Sequence, residues 1–342
     1  MSETVDLPPV SVVIAVRNEA LIIKNLLCDL SLQSSASFEV ILIDDHSDDD
    51  TFSIIQQWSL KNPRFIAHRL NNGEGSGKKH ALAKGIEMAQ FEHLIFTDAD
   101  CRIYDSNWIE RFQHAFQKGG EFLIGTGAFT EESGFISRFY QLEAFKSAML
   151  YQCAAALGFP YMCVGRSMGL TKTKFNEVGG FEKHTELQSG SDDLLLQALV
   201  GKAKIVALPH AVTWSDTPSS LRDWVFQKHR HQSVSHLYPL WARLGLVGYE
   251  CTNLMLFPIL LVALFLSSKL LTGFVLVRYL MFYVNLSGLK KWADINRAID
   301  KDWYLEIPMS YLNALISVLS LAIKKIEWTK RSQIQEQNTI TS

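Results

Sequence analysis

The sequence lacks the patterns that mark several common classes of protein. Its 342 residues include five cysteines, and none of them form a C-x-x-C pair. Zinc ligands and redox couples usually come in such pairs, so we interpret the cysteines as scattered thiols in a reducing compartment. The formal net charge is only -2, which gives no bulk attraction to nucleic acid. Any anionic ligand must therefore be bound by a local cluster of side chains.

The first ten residues also lack the basic start and the apolar run of a secretory signal. This segment, MSETVDLPPV, is acidic and contains two prolines. We therefore expect the N-terminal domain to remain in the cytosol. At the other end, residues 332–342 form a polar tail that is predicted to be disordered.

Two regions of different composition lie between these ends. Residues 1–240 alternate short β-branched runs with amphipathic stretches, which predicts a sheet covered by helices. Residues 241–331 contain three apolar runs: Cys251–Ser268, Leu270–Leu289 and Ile307–Ile323. The first run has no charge over eighteen residues. Because that length matches a bilayer core of ~30 Å, region 241–331 is predicted to anchor the protein in a membrane.

Within the first region, strand and helix signals alternate. The segments VSVVIAV, FEVILIDD, FIAHRL and HLIFTDAD are typical of strands, and amphipathic or glycine-containing segments separate them. This order predicts a largely parallel sheet whose ligands bind at the carboxyl ends of the strands. The acidic residues are found at those ends.

Two of these strands end in a pair of acids. Asp44 and Asp45 end the second strand, where a carboxylate can accept from a uracil ring N–H or a ribose hydroxyl. A turn or a helix cap is the alternative interpretation. Asp98 and Asp100 follow a later strand with one residue between them. Two carboxylates are enough to bind Mg²⁺ that also contacts substrate phosphates, although two acids in a surface loop are common.

The segment from Gly73 to Lys79 resembles a phosphate-binding P-loop only superficially. That motif requires G-x-x-x-x-G-K-[ST], whereas residue 72 is Asn and residue 79 is Lys. A P-loop ATPase is therefore excluded. We expect a flexible loop that brings Lys78 to an anionic or carbonyl group.

Two later clusters are open to either a structural or a functional interpretation. Asp192 and Asp193 begin a predicted helix, where acids are favoured by the helix dipole, but one of them could also act as a general base. Gln227 and Arg230 lie in a basic stretch close to the first apolar run. Arg230 could pair with a diphosphate, or the stretch could attract lipid headgroups.

Taken in order, these motifs resemble glycosyltransferase family 2, of the GT-A fold, over roughly residues 10–235. The series is Arg17-Asn18-Glu19, Asp44-Asp45, Gly77-Lys78-Lys79-His80-Ala81-Leu82, Asp98-Ala99-Asp100, Gly165-Arg166-Ser167-Met168, Val178-Gly179-Gly180-Phe181, Asp192-Asp193 and Gln227-x-x-Arg230. The resemblance implies an α/β fold with a Rossmann-like, mixed and mostly parallel sheet, followed by C-terminal membrane helices.

The resemblance also assigns roles to the candidate residues. It implies that Asp45, with Asp44 beside it, contacts uridine and that Lys78 lies near the base or the phosphates. Asp98 and Asp100 would hold the ribose, the diphosphate and a Mg²⁺ or Mn²⁺ ion.

For the later motifs, the resemblance makes Asp193 the catalytic base, at the end of a T-E-D motif, with Asp192 before it. Gln227 and Arg230 correspond to a Q-x-x-R-W motif. In this sequence the position of the T-E-D motif reads Ser191-Asp192-Asp193. The Q-x-x-R-W motif has His231 where Trp is expected. These departures favour transfer of one or a few sugars over synthesis of a long chain.

The resulting hypothesis is an inverting glycosyltransferase, anchored in the inner or plasma membrane with its catalytic domain in the cytosol. It would move a sugar from a nucleotide-sugar donor, with UDP preferred, to a lipid-linked or membrane-proximal glycan acceptor in cell-envelope synthesis. No nucleic acid partner is expected. The alternative is a catalytically inactive membrane scaffold that binds a nucleotide sugar.

Overall fold

The computed structural model describes residues 7–71, 73–130, 134–181, 191–217, 237–293 and 299–322, together with residues 220, 225, 228 and 235. Two predicted site residues, Gln227 and Arg230, lie outside the described residues, as do His231 and the polar tail 332–342.

The strands are β1 Val10–Val16, β2 Phe38–Asp44, β3 Phe65–Arg69, β4 His93–Phe96, β5 Cys101–Arg102, β6 Phe122–Phe129, β7 Met168–Thr171 and β8 Ile205–Ser215. The helices are α1 Ile23–Ser31, α2 Thr51–Lys61, α3 Lys78–Met88, α4 Trp108–Gln117, α5 Phe135–Ala156, α6 Lys172–Glu177, α7 Ser191–Leu199, α8 Leu240–Phe265, α9 Lys269–Trp292 and α10 Glu306–Ala322, with a 3-10 helix at Ile299–Leu305.

The described strands form one sheet in the order β3-β2-β1-β4-β7-β6-β8-β5. Strands β3, β2, β1 and β4 are parallel neighbours, as are β6 and β8. Strand β7 is antiparallel to both β4 and β6, and β5 is antiparallel to β8. The prediction of a mixed, mostly parallel GT-A sheet is therefore confirmed.

Strand β1 shows why the first strands read as continuous apolar runs. Val12 and Ile14 pack into one core with residues of α1 and α4, whereas Val13 packs into a second core with residues of α3. A parallel sheet that is covered on both faces needs apolar side chains in both directions. Helix α3 approaches β1 so closely that a Cβ on Gly85 would lie 2.5 Å from a methyl carbon of Val13.

The register of the sheet fixes the edge at which ligands would bind. Val16, the last residue of β1, is directly opposite Asp44, the last residue of β2. The turns that begin at Arg17 and Asp45 therefore leave the sheet side by side. The turn after β4, with Asp98 and Asp100, leaves from the same edge because β4 runs parallel to β1.

Helices α8 and α9 are long and apolar enough to cross a membrane, by length and composition. The predicted runs Cys251–Ser268 and Leu270–Leu289 lie largely within them, but α8 begins earlier than its run, at Leu240. The N-terminal half of α8 is tied to the helices that cover the sheet, because Lys146 of α5 forms an ion pair with Glu250 at 2.6 Å. The later part carries exposed apolar side chains, including Phe265 at 89% exposure.

Arg278, the charge that interrupts the second apolar run, is paired within the helical region. Its guanidinium donates to Asn253 of α8 at 2.6 Å and to Glu306 of α10 at 2.8 Å. Tyr249 also donates to Glu306, which is 1% exposed. A buried charge is tolerated when it is paired and hydrogen-bonded, so Arg278 joins three helices instead of disrupting them.

Candidate active site

The turns after β1 and β2 hold each other in unusual backbone conformations. Asn18 and His46 both have a left-handed φ, of 54° and 55°. Asn18 donates its backbone N–H to the Ser47 hydroxyl at 3.0 Å, and its side chain accepts from the Asp48 N–H at 2.9 Å. Such conformations persist only where surrounding contacts enforce them, and they concentrate at functional sites.

Asp45 organises the glycine-rich loop. Its carboxylate accepts from the Gly77 N–H at 2.9 Å, from the Ser76 hydroxyl at 3.1 Å and from Arg17 at 3.4 Å. Burial acts to raise the pKa of Asp45, but these bonds, with one from His46, lower it below its ordinary value. Gly77 has a φ of 104°, which favours glycine, and α3 begins at the next residue. Asp45 therefore fixes the point at which α3, and with it Lys78, starts.

Asp44 faces a different environment from its neighbour. It is fully buried, with the Arg69 guanidinium 3.2 Å from one carboxylate oxygen and the Ser47 N–H donating to that oxygen at 3.3 Å. The other oxygen, Oδ1, is buried without a hydrogen-bond partner within the described parts of the chain. Asp44 therefore stabilises the turn after β2 from its buried side, whereas Asp45 binds the glycine-rich loop.

Lys78 connects the acids of two separate motifs. Its ammonium lies 2.5 Å from the Asp98 carboxylate. Burial acts to lower the pKa of Lys78, but Asp98, Asp192 and Asp100 raise it above its ordinary value. The turn after β4 and the start of α7 therefore converge on one position that strongly favours a cation.

Asp98 and Asp100 fit the ligand chemistry of a divalent metal. Among the residues that the structure describes, no group of three or more His, Cys, Asp or Glu side chains could hold a metal ion. Two carboxylates are sufficient where substrate phosphates and water supply the remaining oxygens. The ammonium of Lys78 lies 2.5 Å from Asp98, so this carboxylate already has a positively charged neighbour.

Asp192 and Asp193 are adjacent at the start of α7 but point into different surroundings. Asp192 accepts from the Gly165 N–H at 2.7 Å, and its charge acts to raise the pKa of Lys78. Burial lowers the pKa of Lys79 below its ordinary value, and the charge of Asp192 opposes this shift. Asp193 is 6% exposed and accepts from the Cys163 N–H at 3.0 Å. Burial and the charge of Asp192 raise the pKa of Asp193 to about 8.

The sequence did not indicate the three groups that donate hydrogen bonds to these acids. The backbone N–H groups of Cys163 and Gly165 bind Asp193 and Asp192, and both lie in or beside the Gly165–Met168 motif. The order of the family motifs could have indicated that the Gly165–Met168 motif lies close to Asp192 and Asp193. The hydroxyl of Tyr238 also donates to Asp193, at 2.7 Å, and no motif of the sequence pointed to it.

Comparisons with known proteins identify a matching family model and several similar glycosyltransferases. Residues 11–172 match the model of Glycosyl transferase family 2. Glycosyltransferase AglE of Haloferax volcanii is 33% identical over 124 residues, which are 36% of this chain and 40% of AglE. Poly-beta-1,6-N-acetyl-D-glucosamine synthase of Staphylococcus epidermidis is 21% identical over 342 residues, which are 94% of this chain and 76% of the synthase. The chain spans only 27% of another relative, EpsH of Bacillus subtilis.

A solved structure extends the likeness to most of the chain. The mannosyltransferase PcManGT from Pyrobaculum calidifontis, in complex with GDP-Man and Mn²⁺, aligns with a TM-score of 0.56 at 15% identity. The alignment covers 94% of this chain and 89% of that chain, which shows a shared fold. Residues 11–172 therefore match a glycosyltransferase family 2 domain, and the chain has the GT-A architecture.

Proposed function

We propose that this protein is an inverting glycosyltransferase of cell-envelope glycan synthesis. It transfers a sugar from a nucleoside diphosphate sugar, with UDP preferred, to a lipid-linked or membrane-proximal acceptor. The observation that carries the proposal is the convergence of Asp98, Asp100 and Asp192 on the ammonium of Lys78. A donor diphosphate needs positive charge beside it, and the acids provide a place where a lysine and a divalent cation can both be held.

On the donor side, Asp45 and the loop that it orders form the nucleoside end of the proposed site. Lys78 follows directly at the start of α3 and lies within reach of the phosphates. Asp98 and Asp100 would hold Mg²⁺ or Mn²⁺, which when bound supplies positive charge for the departing nucleoside diphosphate. Arg230, outside the described residues, is proposed to add its guanidinium to the positive charge beside the diphosphate, with Gln227 three residues before it in the sequence.

On the acceptor side, we propose Asp193 as the general base. The different surroundings of the two acids support this division. Asp192 lies near Lys78 and Lys79, whereas burial raises the pKa of Asp193 and makes its carboxylate a stronger proton acceptor. Each carboxylate oxygen has two lone pairs, so the bonds from Cys163 and Tyr238 leave acceptor capacity on Asp193. The acceptor oxygen would attack the anomeric carbon opposite the diphosphate, which inverts the configuration.

The membrane part of the proposal rests on α8 and α9. Their exposed apolar faces suit lipid, and α8 starts at the catalytic domain, so the site would be held beside an acceptor in the membrane. We expect the protein to stay in the membrane fraction after washing with alkaline carbonate and to be released by detergent. Release by carbonate alone would contradict a spanning anchor.

The activity is tested by incubating the detergent-purified full chain with a panel of nucleotide sugars and measuring release of nucleoside diphosphate. We expect release with at least one UDP-sugar and dependence on Mg²⁺ or Mn²⁺. Binding of a UDP-sugar without any release, across a panel of lipid-linked acceptors, would instead identify the inactive scaffold. Absence of both binding and release would contradict the proposed site.

A further inference from the structure

We propose that Tyr238, just before helix α8, is a positioning residue whose hydroxyl holds the Asp193 carboxylate in place for sugar transfer. The proposal rests on the proposed function, in which Asp193 is the base, and it adds a residue outside the family motifs. It also assigns a role to the segment that joins the catalytic domain to the helical region.

The geometry of the contact is that of a strong hydrogen bond. The Tyr238 hydroxyl donates to Oδ2 of Asp193 at 2.7 Å, while the Cys163 N–H donates to Oδ1 at 3.0 Å. Tyr238 is 8% exposed and Asp193 is 6% exposed. A hydrogen bond from a neutral donor to a carboxylate is stronger than one between neutral groups, and burial strengthens it further. The two donors bind different oxygens and thereby limit rotation of the carboxylate.

The ring of Tyr238 is held independently of its hydroxyl. It packs edge-on against Tyr161 with the ring centroids 5.8 Å apart, and Tyr161 packs in turn against Trp241 at 6.2 Å. Aromatic pairs in this arrangement stabilise the cluster through their faces and edges, without using a hydroxyl. Removal of the Tyr238 hydroxyl alone should therefore leave the packing in place.

The contact spans two parts of the fold. Asp193 belongs to α7 of the catalytic domain, whereas Tyr238 is followed by Pro239, the residue that caps the first turn of α8. The bond therefore forms only when the start of α8 lies against α7. The Tyr238 hydroxyl therefore couples the position of the helical region to the position of Asp193, the proposed base.

Among the described residues, four titratable groups surround Asp193. They are Asp192 on the same helix, Tyr161 and Cys163 on the loop before β7, and Tyr238 itself. Burial and Asp192 raise the pKa of Asp193, and the bonds from Tyr238 and Cys163 lower it. Loss of the Tyr238 hydroxyl should consequently move the pKa of Asp193 further upward.

The experiment compares Tyr238→Phe with Tyr161→Phe in the full chain. Tyr161→Phe is the matched control, because it removes a hydroxyl from the same buried aromatic cluster without removing a donor to Asp193. Tyr238→Phe is expected to lower kcat about ten- to a hundredfold, with the donor KM unchanged within about twofold. The acid limb of its pH–rate profile should move to higher pH, whereas Tyr161→Phe should keep both kcat and the limb near those of the unmodified protein.

Two results would overturn the proposal. One is a Tyr238→Phe variant with unchanged kcat and pH profile. The other is a variant that is slower and less stable but keeps its acid limb in place, because this pattern marks a packing role only.

A protein that turns over no donor would contradict the proposed function, and the contact is then tested through stability. Asp193 has a raised pKa in the folded state, so its contribution to stability is present at low pH and is lost as pH rises through about 8. The hydroxyl matters most once the carboxylate is charged. The melting temperature of Tyr238→Phe should therefore fall below that of the unmodified protein by more at about pH 9 than at about pH 6. An equal difference at both pH values would contradict the bond to the charged carboxylate.

Discussion

Replacement of Asp193 by Asn is expected to abolish sugar transfer while leaving binding of the nucleotide sugar nearly intact. The amide keeps the shape of the carboxylate, and its oxygen can still accept from the Cys163 N–H. It cannot take a proton from the acceptor hydroxyl. Loss of a general base typically slows a reaction by about 10²- to 10⁴-fold. The measurement is turnover by release of nucleoside diphosphate, with donor affinity from calorimetry.

Asp192→Asn is the matched control, because it removes a neighbouring charge at the same helix start. Asp192 lies beside Lys78 and Lys79, so its loss should change donor affinity more than it changes kcat. If Asp192→Asn were instead the inactive variant and Asp193→Asn were active, the base would be Asp192. The alignment with the T-E-D motif would then be shifted by one residue.

The pH dependence provides a separate check on the same base. A base acts in its deprotonated form, so the rate should rise with pH through the pKa of Asp193. Burial and the Asp192 charge raise that pKa to about 8 in the ligand-free protein, which places the limb in the kcat/KM profile near this value. A limb near the ordinary value of an aspartate would contradict the raised pKa of Asp193, and a limb that Asp193→Asn leaves in place would show that a different group acts as the base.

Replacement of Asp100 by Ala is expected to make the remaining activity insensitive to added Mn²⁺ or Mg²⁺ and to weaken UDP binding. The proposed site has only Asp98 and Asp100 as protein ligands, so loss of one carboxylate removes half of them. Because most of the affinity for the diphosphate would depend on the bound cation, we expect UDP to bind at least about tenfold more weakly. Calorimetry with and without a chelator measures this directly.

Asp48→Ala supplies the control for this experiment, because it removes one exposed carboxylate from the turn after β2. UDP affinity and metal dependence should not change in this variant. Equal UDP affinity of the unmodified protein with and without chelator would contradict the role of Asp100 as a metal ligand. The same affinities in Asp100→Ala and in the unmodified protein would lead to that conclusion too.

The sequence by itself indicated the parts of the fold that depend on local patterns. The strands β1, β2 and β4 could be recognised as apolar runs, because a sheet covered on both faces needs apolar side chains on both sides of each strand. The acids at Asp45 and Asp98 were visible because they follow directly on such runs. Likewise, the two long apolar runs near the C-terminus lie largely within α8 and α9, which are long and apolar enough to cross a membrane.

Helix boundaries were less accurate where polar residues stand at a helix start. Helix α8 begins at Leu240, well before the uncharged run at Cys251, because its N-terminal half contacts α5 and tolerates Glu250 through its pair with Lys146. Asp48, Asp49 and Asp50 precede α2, where an acidic side chain can cap a helix. Asp50 at the cap position makes no such bond, and Asp49 instead accepts from the Thr51 N–H at 3.0 Å.

Which acids meet, and what each one meets, was decided by the tertiary structure. Asp44 and Asp45 are neighbours in the chain, but the pleat of β2 and the left-handed turn at His46 direct one into the core and the other to the glycine loop. Asp193 and Tyr238 are separated by 45 residues, and no local pattern relates them. Composition and spacing determine which side chains are available near a strand end or a helix start. The environment that sets their charge is formed by residues distant in sequence, and it exists only once the sheet, α7 and the start of α8 have packed together.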